Sequence, residues 1–291
     1  MYIKDLLSSL SEAAASGMKP LLAGTLSEND YDKVNFPVIA SPKIDGIRCL
    51  KLEGGLFSRQ MKLIPNVHIQ SFANEIPDGI DGELVVYSNG KLSNFNTAQS
   101  QIMSKEGTPE WAFFAFDDFS SPSSPYTARL NTLELKVAQS EHLQLVETHY
   151  VNNVAELNAI HKKFVSQGWE GTMIRRPDGI YKKGRSTVRE GILLKIKDFL
   201  DDEALVVDVI QAVDKNGTPK EELGAVLVSW VGPSGNKIQF RIGSGFKQAD
   251  RKEYWNNPDL IINQKVTFKY QELSANGVPR FPTFLGIRYD K

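Results

Sequence analysis

The chain has 291 residues, of which 41% are hydrophobic and 24% are charged. This length allows two packed domains or one large one, and the composition argues against gross disorder. The formal net charge of −1 gives no global sign of nucleic-acid binding, because dedicated DNA-binding domains are usually basic. The single cysteine, Cys49, excludes an internal disulfide and favours a reducing compartment.

The first part of the chain predicts a helix from about Leu6 to Gly17, with the glycine as its stop. Polar residues interrupt the apolar positions before Pro20, so neither a signal peptide nor a membrane span is expected. We therefore expect a cytoplasmic protein, or one that is made inside a host cell.

From Phe36 the chain alternates short apolar runs with turn residues, which is typical of strands, and two stretches have helical spacing. This mixture predicts an α+β fold, with an antiparallel sheet, over residues 1–199. The predicted strands are Val38–Ala40, Ile47–Leu52, Gly82–Tyr87 and Trp111–Phe116, and the predicted helices are Thr127–His142 and Val154–Gln167.

Beyond Asp201 the pattern changes to alternating strands separated by Gly and Pro turns, and helical patterns nearly vanish. This pattern of short strands and turns predicts a small β-barrel of the oligonucleotide-binding (OB) type over residues 200–291, with a hinge near Lys197–Asp202. The predicted strands are Ala204–Ala212, Ala225–Val231, Lys237–Gly243 and Lys265–Tyr270.

Between Gly171 and Leu200 there are eight basic residues but only three acidic ones. A local excess of this kind on a neutral chain indicates a phosphate-handling surface, although a solvated charged face is an equally good interpretation of charge alone. Within this stretch, Lys195 and Lys197 share one face of an apolar strand. Two buried lysines need an anion, and a triphosphate suits that position.

The string Ser41-Pro-Lys43-Ile44-Asp45-Gly46-Ile-Arg48 follows an apolar run. A neutral lysine amine there can attack phosphorus and retain the nucleotide, provided that burial and neighbouring cations disfavour its charged form. Gly46 would allow the backbone to approach a ligand closely. The alternative is a turn with exposed charges, and the motif alone does not decide between them.

Further short motifs follow in order along the chain, and together they carry a resemblance. They are Ser58-Arg59, Asp81-Gly-Glu83, Phe116-Asp117, Glu170-Gly and Lys195-x-Lys197. This series resembles the ordered motifs of the covalent nucleotidyltransferase superfamily, and it is most similar to minimal ATP-dependent DNA ligases of the chlorovirus type. The similarity extends from about Lys19 to the C-terminus and includes Tyr181–Ser186.

The resemblance implies an enzyme that seals nicks in double-stranded DNA through a lysyl-AMP and an adenylated 5′-phosphate. It implies that ATP and Mg²⁺, or Mn²⁺, are required, that the protein is encoded by a bacterium or by a virus and acts inside the cell, and that it works as a monomer. No membrane is expected among its partners. Lys43 would carry AMP, with Asp45, Lys195 and Lys197 as further catalytic residues. The implied nucleotide-binding residues also include Ser41, Ile44, Arg48, Glu83, Phe116, which would stack on adenine, and Glu170. Glu170 and Asp45 would bind metal, and Arg48, Arg59, Arg185 and Ser186 would bind DNA.

The resemblance also implies that Arg288 and Asp290 form the last ligase motif, on the barrel, although the chain stops at Lys291. Between Ile210 and Val226 the chlorovirus-type enzymes carry a longer hairpin that clasps DNA. Here Asp214–Gly224 reads as a short turn, so we expect weaker encirclement of the duplex and salt-sensitive binding.

Two alternatives stay open from the sequence. The first is an RNA-end enzyme of the same superfamily, such as a GTP-dependent capping enzyme, which shares the lysine motif and the barrel. The second is a non-catalytic barrel that binds single strands through exposed aromatic residues interleaved with basic ones. Its candidate aromatic residues, which are equally good candidates for barrel core, are Phe240, Phe246, Trp255 and Tyr270.

Overall fold

The structure, a computed structural model, describes residues 17–274 and 276–288. The predicted helix Leu6–Gly17 lies almost wholly outside the described residues, as do Asp290 and Lys291. The chain divides between Lys197 and Asp198 into two compact units. None of the described helices is long and apolar enough to cross a membrane.

The first unit is a mixed α+β structure, as predicted. Its helices are α1 (Val67–Ser71), α2 (Phe95–Ile102), α3 (Tyr126–Val137) and α4 (Val154–Ser166), with short 3-10 turns at Glu28–Lys33 and Ala73–Glu75. Its strands are β1 (Leu21–Leu22), β2 (Gly24–Thr25), β3 (Val38–Pro42), β4 (Ile47–Leu52), β5 (Gly55–Ser58), β6 (Ile80–Ser88), β7 (Lys91–Leu92), β8 (Trp111–Asp118), β9 (Leu143–Leu145), β10 (His149–Val151), β11 (Thr172–Arg175), β12 (Gly184–Arg185) and β13 (Leu193–Ile196).

Two sheets form the framework of this unit. One has the strand order β10-β3-β11-β13-β2, and the other has the order β5-β4-β6-β8-β9, with β7 paired to β6. β1 and β12 form a separate parallel pair. The two large sheets are joined directly in sequence by residues 43–46, between β3 and β4, so the Lys43 segment connects an inner strand of one sheet to an inner strand of the other.

The helices pack apolar side chains against the sheets, and α1, α2 and α4 each begin at an asparagine whose side chain caps the first turn. In α3 the buried positions Tyr126, Arg129, Leu130 and Leu133 recur at helical spacing, which places one face against the core. The predicted extension of this helix to His142 is wrong. It ends at Val137 because residues 139–142 supply no further apolar position, and the chain turns into β9.

Over its described residues, the second unit forms a sheet of five strands in the order β16-β15-β14-β17-β18, and the predicted barrel is confirmed. They are β14 (Leu200–Val213), β15 (Pro219–Val231), β16 (Lys237–Ile242), β17 (Lys265–Tyr270) and β18 (Thr283–Ile287). A bridge between Ser244 and Thr283 links the two ends of the sheet, and Phe284 N–H donates to the Ser244 carbonyl at 2.9 Å. This closure leaves the sheet with few free edges.

Trp230 lies at the centre of the barrel core and is 1% exposed. Its ring packs edge-on against Phe240, Phe268 and Tyr270, with centroid distances of 6.0, 6.2 and 6.0 Å. Phe240, Phe246 and Tyr270 are therefore buried core residues, and Trp255 packs against the same cluster. The exposed aromatic surface that single-strand binding would need is not built from these side chains.

Two expectations for this unit are wrong. Helix α5 (Gln248–Asn256), followed by a 3-10 turn at Pro258–Leu260, was not predicted, because its sequence is polar and buries no residue fully. Residues 214–224 are not a short turn, because β14 and β15 stay paired as far as Val213 and Pro219. They form the end of a long hairpin, and Arg251 of α5 donates to the Leu223 and Gly224 carbonyls at 2.9 and 3.1 Å.

Candidate nucleotide site

A cavity of about 200 Å³ in the first unit brings together residues from both large sheets and from the β1–β12 pair. Nine of the predicted site residues line it, namely Ser41, Lys43, Ile44, Arg48, Arg59, Glu83, Phe116, Arg185 and Lys195. Five lining residues were not predicted, namely Leu22, Ala23, Pro42, Met173 and Arg175.

The floor of the cavity follows from strand register. Ser41 of β3 lies opposite Met173 of β11, and Met173 lies opposite Lys195 of β13. Direct cross-strand partners project from the same face of a sheet, so these three side chains form one row. Strands that are far apart in sequence therefore place Lys195 near the segment that carries Lys43.

Lys43 lies just after β3, and backbone hydrogen bonds fix its position. Its N–H donates to the Gly171 carbonyl at 2.9 Å, and its carbonyl accepts from the Glu170 N–H at 3.2 Å. A Cβ on Gly171 would lie 2.2 Å from the Ile196 carbonyl oxygen, so only glycine fits at this crossing. The Lys43 segment and the Glu170-Gly171 segment are thus held side by side.

Glu170 bridges two lysines at the edge of the cavity. Its two carboxylate oxygens accept hydrogen bonds from the Lys43 and Lys197 ammonium groups. All three side chains are largely buried, which strengthens their electrostatic interaction. In this structure the anion that pairs with Lys197 is therefore the Glu170 carboxylate. The same carboxylate, which was expected to bind a metal ion, contacts two lysine ammonium groups.

Lys195 lies among cations. Its pKa is lowered by burial and by the charges of Lys43, Arg185 and Arg59. A group of lysines and arginines that repel one another in this way is stabilised when an anion enters. This arrangement is the strongest electrostatic sign that the cavity accepts phosphate.

Arg48 is fixed by Asp81, whose carboxylate accepts from Arg48 Nε at 2.5 Å and from Nη2 at 2.6 Å. Asp81 is fully buried and also accepts from the Tyr181 hydroxyl at 2.6 Å. Burial acts to lower the Arg48 pKa, but the Asp81 charge and hydrogen bonds outweigh it and raise the pKa overall. Arg48 therefore lines the cavity with a permanently charged guanidinium group whose orientation is fixed by Asp81.

Glu83 is the cross-strand partner of Arg48. Burial raises the Glu83 pKa to about 7, although the nearby Arg48 and Lys43 charges act in the opposite direction. A carboxyl group with this pKa can donate or accept a hydrogen bond near neutral pH. It is therefore suited to a polar neutral group, such as a sugar hydroxyl, better than to a phosphate.

The Phe116 ring contacts two guanidinium groups. The Arg48 Cζ lies 4.6 Å from the ring centroid and the Arg175 Cζ lies 5.1 Å from it, both within cation–π range. Phe116 is half-buried and lines the cavity. A flat base that entered here would meet an aromatic ring whose orientation is fixed by two arginines.

The remaining predicted residues lie in less direct positions. Asp45 is half-buried and follows the cavity-lining Ile44. Arg59 and Arg185 are exposed at the cavity wall, and Arg185 Nη1 donates to the Ala23 carbonyl at 2.6 Å. Ser186 is only 1% exposed, and its hydroxyl bonds with backbone groups, so it supports the fold and is not presented to a ligand.

Arg288 lies on the barrel unit directly after β18, where it forms an ion pair with Glu203. Gly46 also differs from expectation. A Cβ at this position would lie 2.3 Å from the Leu84 carbonyl oxygen. The close approach that requires glycine is therefore to the backbone of β6 and not to a ligand.

Sequence reasoning missed the residues that support the cavity. Asp117 accepts from Arg129 Nε at 2.8 Å and Nη2 at 3.2 Å, and both side chains are buried. Arg175 belongs to the basic stretch from Gly171 to Leu200, and Tyr181 belongs to the ligase-like segment Tyr181–Ser186, but the sequence predicts no individual role for either residue. A signal existed for Asp81 and Asp117, since each stands in a motif beside a predicted site residue.

A two-sheet unit with a cationic, lysine-bearing cavity, followed by an OB-like barrel, defines the nucleotidyltransferase class of enzymes. Within that class, the chain belongs to the ATP-dependent DNA ligase family. The model of the ATP dependent DNA ligase domain matches residues 20–197, and that of the DNA ligase OB-like domain matches residues 216–288.

Individual relatives agree with this placement. A DNA ligase of African swine fever virus is 30% identical over 222 residues, which cover 72% of this chain and 50% of the relative. The chain thus spans about half the length of the curated relatives it matches first. The crystal structure of Chlorella virus DNA ligase-adenylate is 33% identical, with a TM-score of 0.56, over 93% of this chain and 99% of that one. A Lig E DNA ligase is 28% identical, with a TM-score of 0.74 and the same coverage.

Proposed function

We propose that this protein is an ATP-dependent ligase that seals nicks in double-stranded DNA, with Lys43 as the residue that carries AMP. The observation that carries the proposal is the position of the Lys43 amine at the edge of a cavity walled by Arg48, Arg59, Arg185 and Lys195. The family of the chain supports ATP as the nucleotide and DNA as the substrate.

In the first step, Lys43 Nζ forms a bond to the α-phosphorus of ATP, and the bond from that phosphorus to the α–β bridging oxygen breaks. Pyrophosphate leaves with the electron pair of that bond. The Lys43 ammonium must first lose a proton to water, and Glu170, which accepts a hydrogen bond from it, would hold the amine in place. Lys195 would neutralise charge that develops on the phosphoryl oxygens.

In the second step, an oxygen of the 5′-phosphate at the nick attacks the phosphorus of AMP, and the Lys43 nitrogen leaves. In the third, the 3′ hydroxyl attacks the 5′-phosphorus, and AMP leaves. Arg59 and Arg185 are exposed at the cavity wall and would bind the 5′-phosphate, because the planar guanidinium group suits phosphate oxygens. Positioning and charge neutralisation would supply most of the catalysis.

A magnesium ion fits this site when it arrives with ATP. Among the described residues, no group of three or more His, Cys, Asp or Glu side chains could hold a metal ion alone. Mg²⁺ characteristically uses one or two carboxylates and completes its shell with phosphate oxygens and water. Glu170 and Asp45 would provide those carboxylates, and the ion would neutralise triphosphate charge.

We also propose that the protein acts as a monomer in the cytoplasm, with the nucleotidyltransferase unit and the barrel supplied by the same chain. Incubation with labelled ATP or GTP, followed by nicked DNA or nicked RNA duplexes, tests the proposal. We expect labelling by ATP and sealing of the DNA nick. Labelling by GTP, or sealing restricted to RNA, would replace it with an RNA-end enzyme.

A further inference from the structure

Arg175 is a buried cation in the wall of the cavity that the proposed reaction does not use. It is the last residue of β11 and is only 3% exposed. Its Nε makes no hydrogen bond with any residue that the structure describes. A buried charged donor that lacks an acceptor is costly, so its presence at the wall of a cavity requires an explanation.

The structural role available to Arg175 is already filled by another residue. Arg175 forms an ion pair with Asp117, but the Arg175 Nε lies 3.7 Å from Asp117 Oδ2, which is too far for a hydrogen bond. Arg129 binds both oxygens of the same carboxylate, at 2.8 and 3.2 Å. Arg129 does not line the cavity, whereas Arg175 does.

The position of Arg175 along β11 indicates which part of a nucleotide it would meet. Glu170, which binds the Lys43 amine, precedes the strand, and Met173 pairs with Lys195 in the middle. Arg175 lies two residues, or about 7 Å, further along the same face. A nucleotide with its phosphates at Lys43 and Lys195 would extend its base toward Arg175 and the adjacent Phe116 ring.

We propose that Arg175 recognises the adenine base by donating a hydrogen bond to one of its ring nitrogens. Adenine offers N1, N3 and N7 as acceptors, and a guanidinium group has several donors in one plane. Guanine carries a hydrogen on N1, so an arginine facing that edge would discriminate against GTP. This inference rests on the proposed function, because it takes the nucleotide to be ATP with its phosphates at Lys43.

The test is equilibrium binding of AMP and of its 1-deaza, 3-deaza and 7-deaza analogues to the full-length protein. Each analogue replaces one acceptor nitrogen by C–H. For the wild type, we expect one analogue to bind about ten to a hundred times more weakly than AMP, as for a lost hydrogen bond to a charged group. Arg175→Met should weaken AMP by a similar factor and should no longer distinguish AMP from that analogue.

Arg129→Lys is the matched control, because it perturbs the same Asp117 carboxylate from outside the cavity. This variant should keep the discrimination between AMP and its analogues. Arg175→Lys retains the charge and a donor, so it should recover part of the AMP affinity if Arg175→Met is poorly folded.

Two results would overturn the inference: no deaza analogue binds the wild type more weakly, or Arg175→Met, which has no donor, still discriminates as the wild type does. Failure to form an adduct at Lys43 would overturn the proposed ligase reaction instead. It would leave the binding result for Arg175 intact, so the two failures are distinguishable.

Discussion

Replacement of Asp81 by Asn should destabilise the first unit by about 3–5 kcal/mol, the range for removing one partner of a buried ion pair. Asp81 is 0% exposed and accepts three hydrogen bonds, two from Arg48 at 2.5 and 2.6 Å and one from the Tyr181 hydroxyl at 2.6 Å. An asparagine keeps the shape but has one acceptor oxygen and no charge. It would therefore leave the Arg48 guanidinium uncompensated at 16% side-chain exposure.

Urea denaturation measures this effect. The change in the free energy of unfolding is taken with the same m-value, the slope against urea concentration, for wild type and variant. Tyr181→Phe removes one hydrogen bond to the same carboxylate and should cost about 1.5–3 kcal/mol. Asp178→Asn is the control, because Asp178 makes a similar bidentate pair with Arg176 but is 70% exposed. Exposed pairs contribute about 0–1 kcal/mol. If Asp81→Asn cost no more than Asp178→Asn, the argument that burial makes the Arg48 pair critical would be refuted.

Three further substitutions or reactions test other parts of the structure. The Glu83 pKa is about 7 in the folded protein and about 4.5 when unfolded, so wild-type stability should fall as the pH rises from about 4.5 to about 7, by at most about 3 kcal/mol. The stability of Glu83→Gln, measured by unfolding at each pH, should lack that fall. A variant whose pH profile matched the wild type would contradict the assignment. Gly46→Ala should cost about 1–3 kcal/mol through collision with the Leu84 carbonyl, whereas Gly286→Ala, with open space around it, should be nearly neutral in the same melt. The Cys49 residue is 0% exposed and burial raises the pKa of its thiol, so a thiol reagent should label it only as fast as the protein unfolds. Rapid labelling of the native protein would contradict the burial of Cys49.

The sequence was sufficient for the parts of the site that lie in short motifs. Lys43, Arg48, Glu83 and Phe116 were selected by local spacing and family resemblance, and they line one cavity. Arg175 was not selected, because its role depends on which residues of β3 and β13 lie opposite β11. The register between β3 and β11, which lie more than a hundred residues apart in the sequence, has no signature in a single sequence.

The prediction for Glu170 shows a second limit of sequence reasoning. The resemblance implied metal binding for Glu170, and the fold also places its carboxylate between the Lys43 and Lys197 ammonium groups. This contact arises because the Lys43 backbone is hydrogen-bonded to Gly171, which no spacing rule reveals. The sequence therefore predicted that Glu170 contacts a cation, but it did not predict that Lys43 and Lys197 are among those cations.

The fold was predicted best where apolar periodicity was strong. α4 and β6 agree with the predicted segments within about two residues, because buried side chains recur along them. Helix α5 has no fully buried residue, so its polar sequence carried no periodic signal. The residue 214–224 segment was misread because its Asn216-Gly217 turn signal was extended over residues that belong to β15.

The most direct measurement of the central claim is mass spectrometry of the purified protein after incubation with ATP and magnesium. The account predicts that one adenylyl group is added to the peptide that contains Lys43 and that Lys43→Arg abolishes the addition. An unmodified protein, or an adenylyl group on a different residue, would contradict the assignment of Lys43 as the nucleophile.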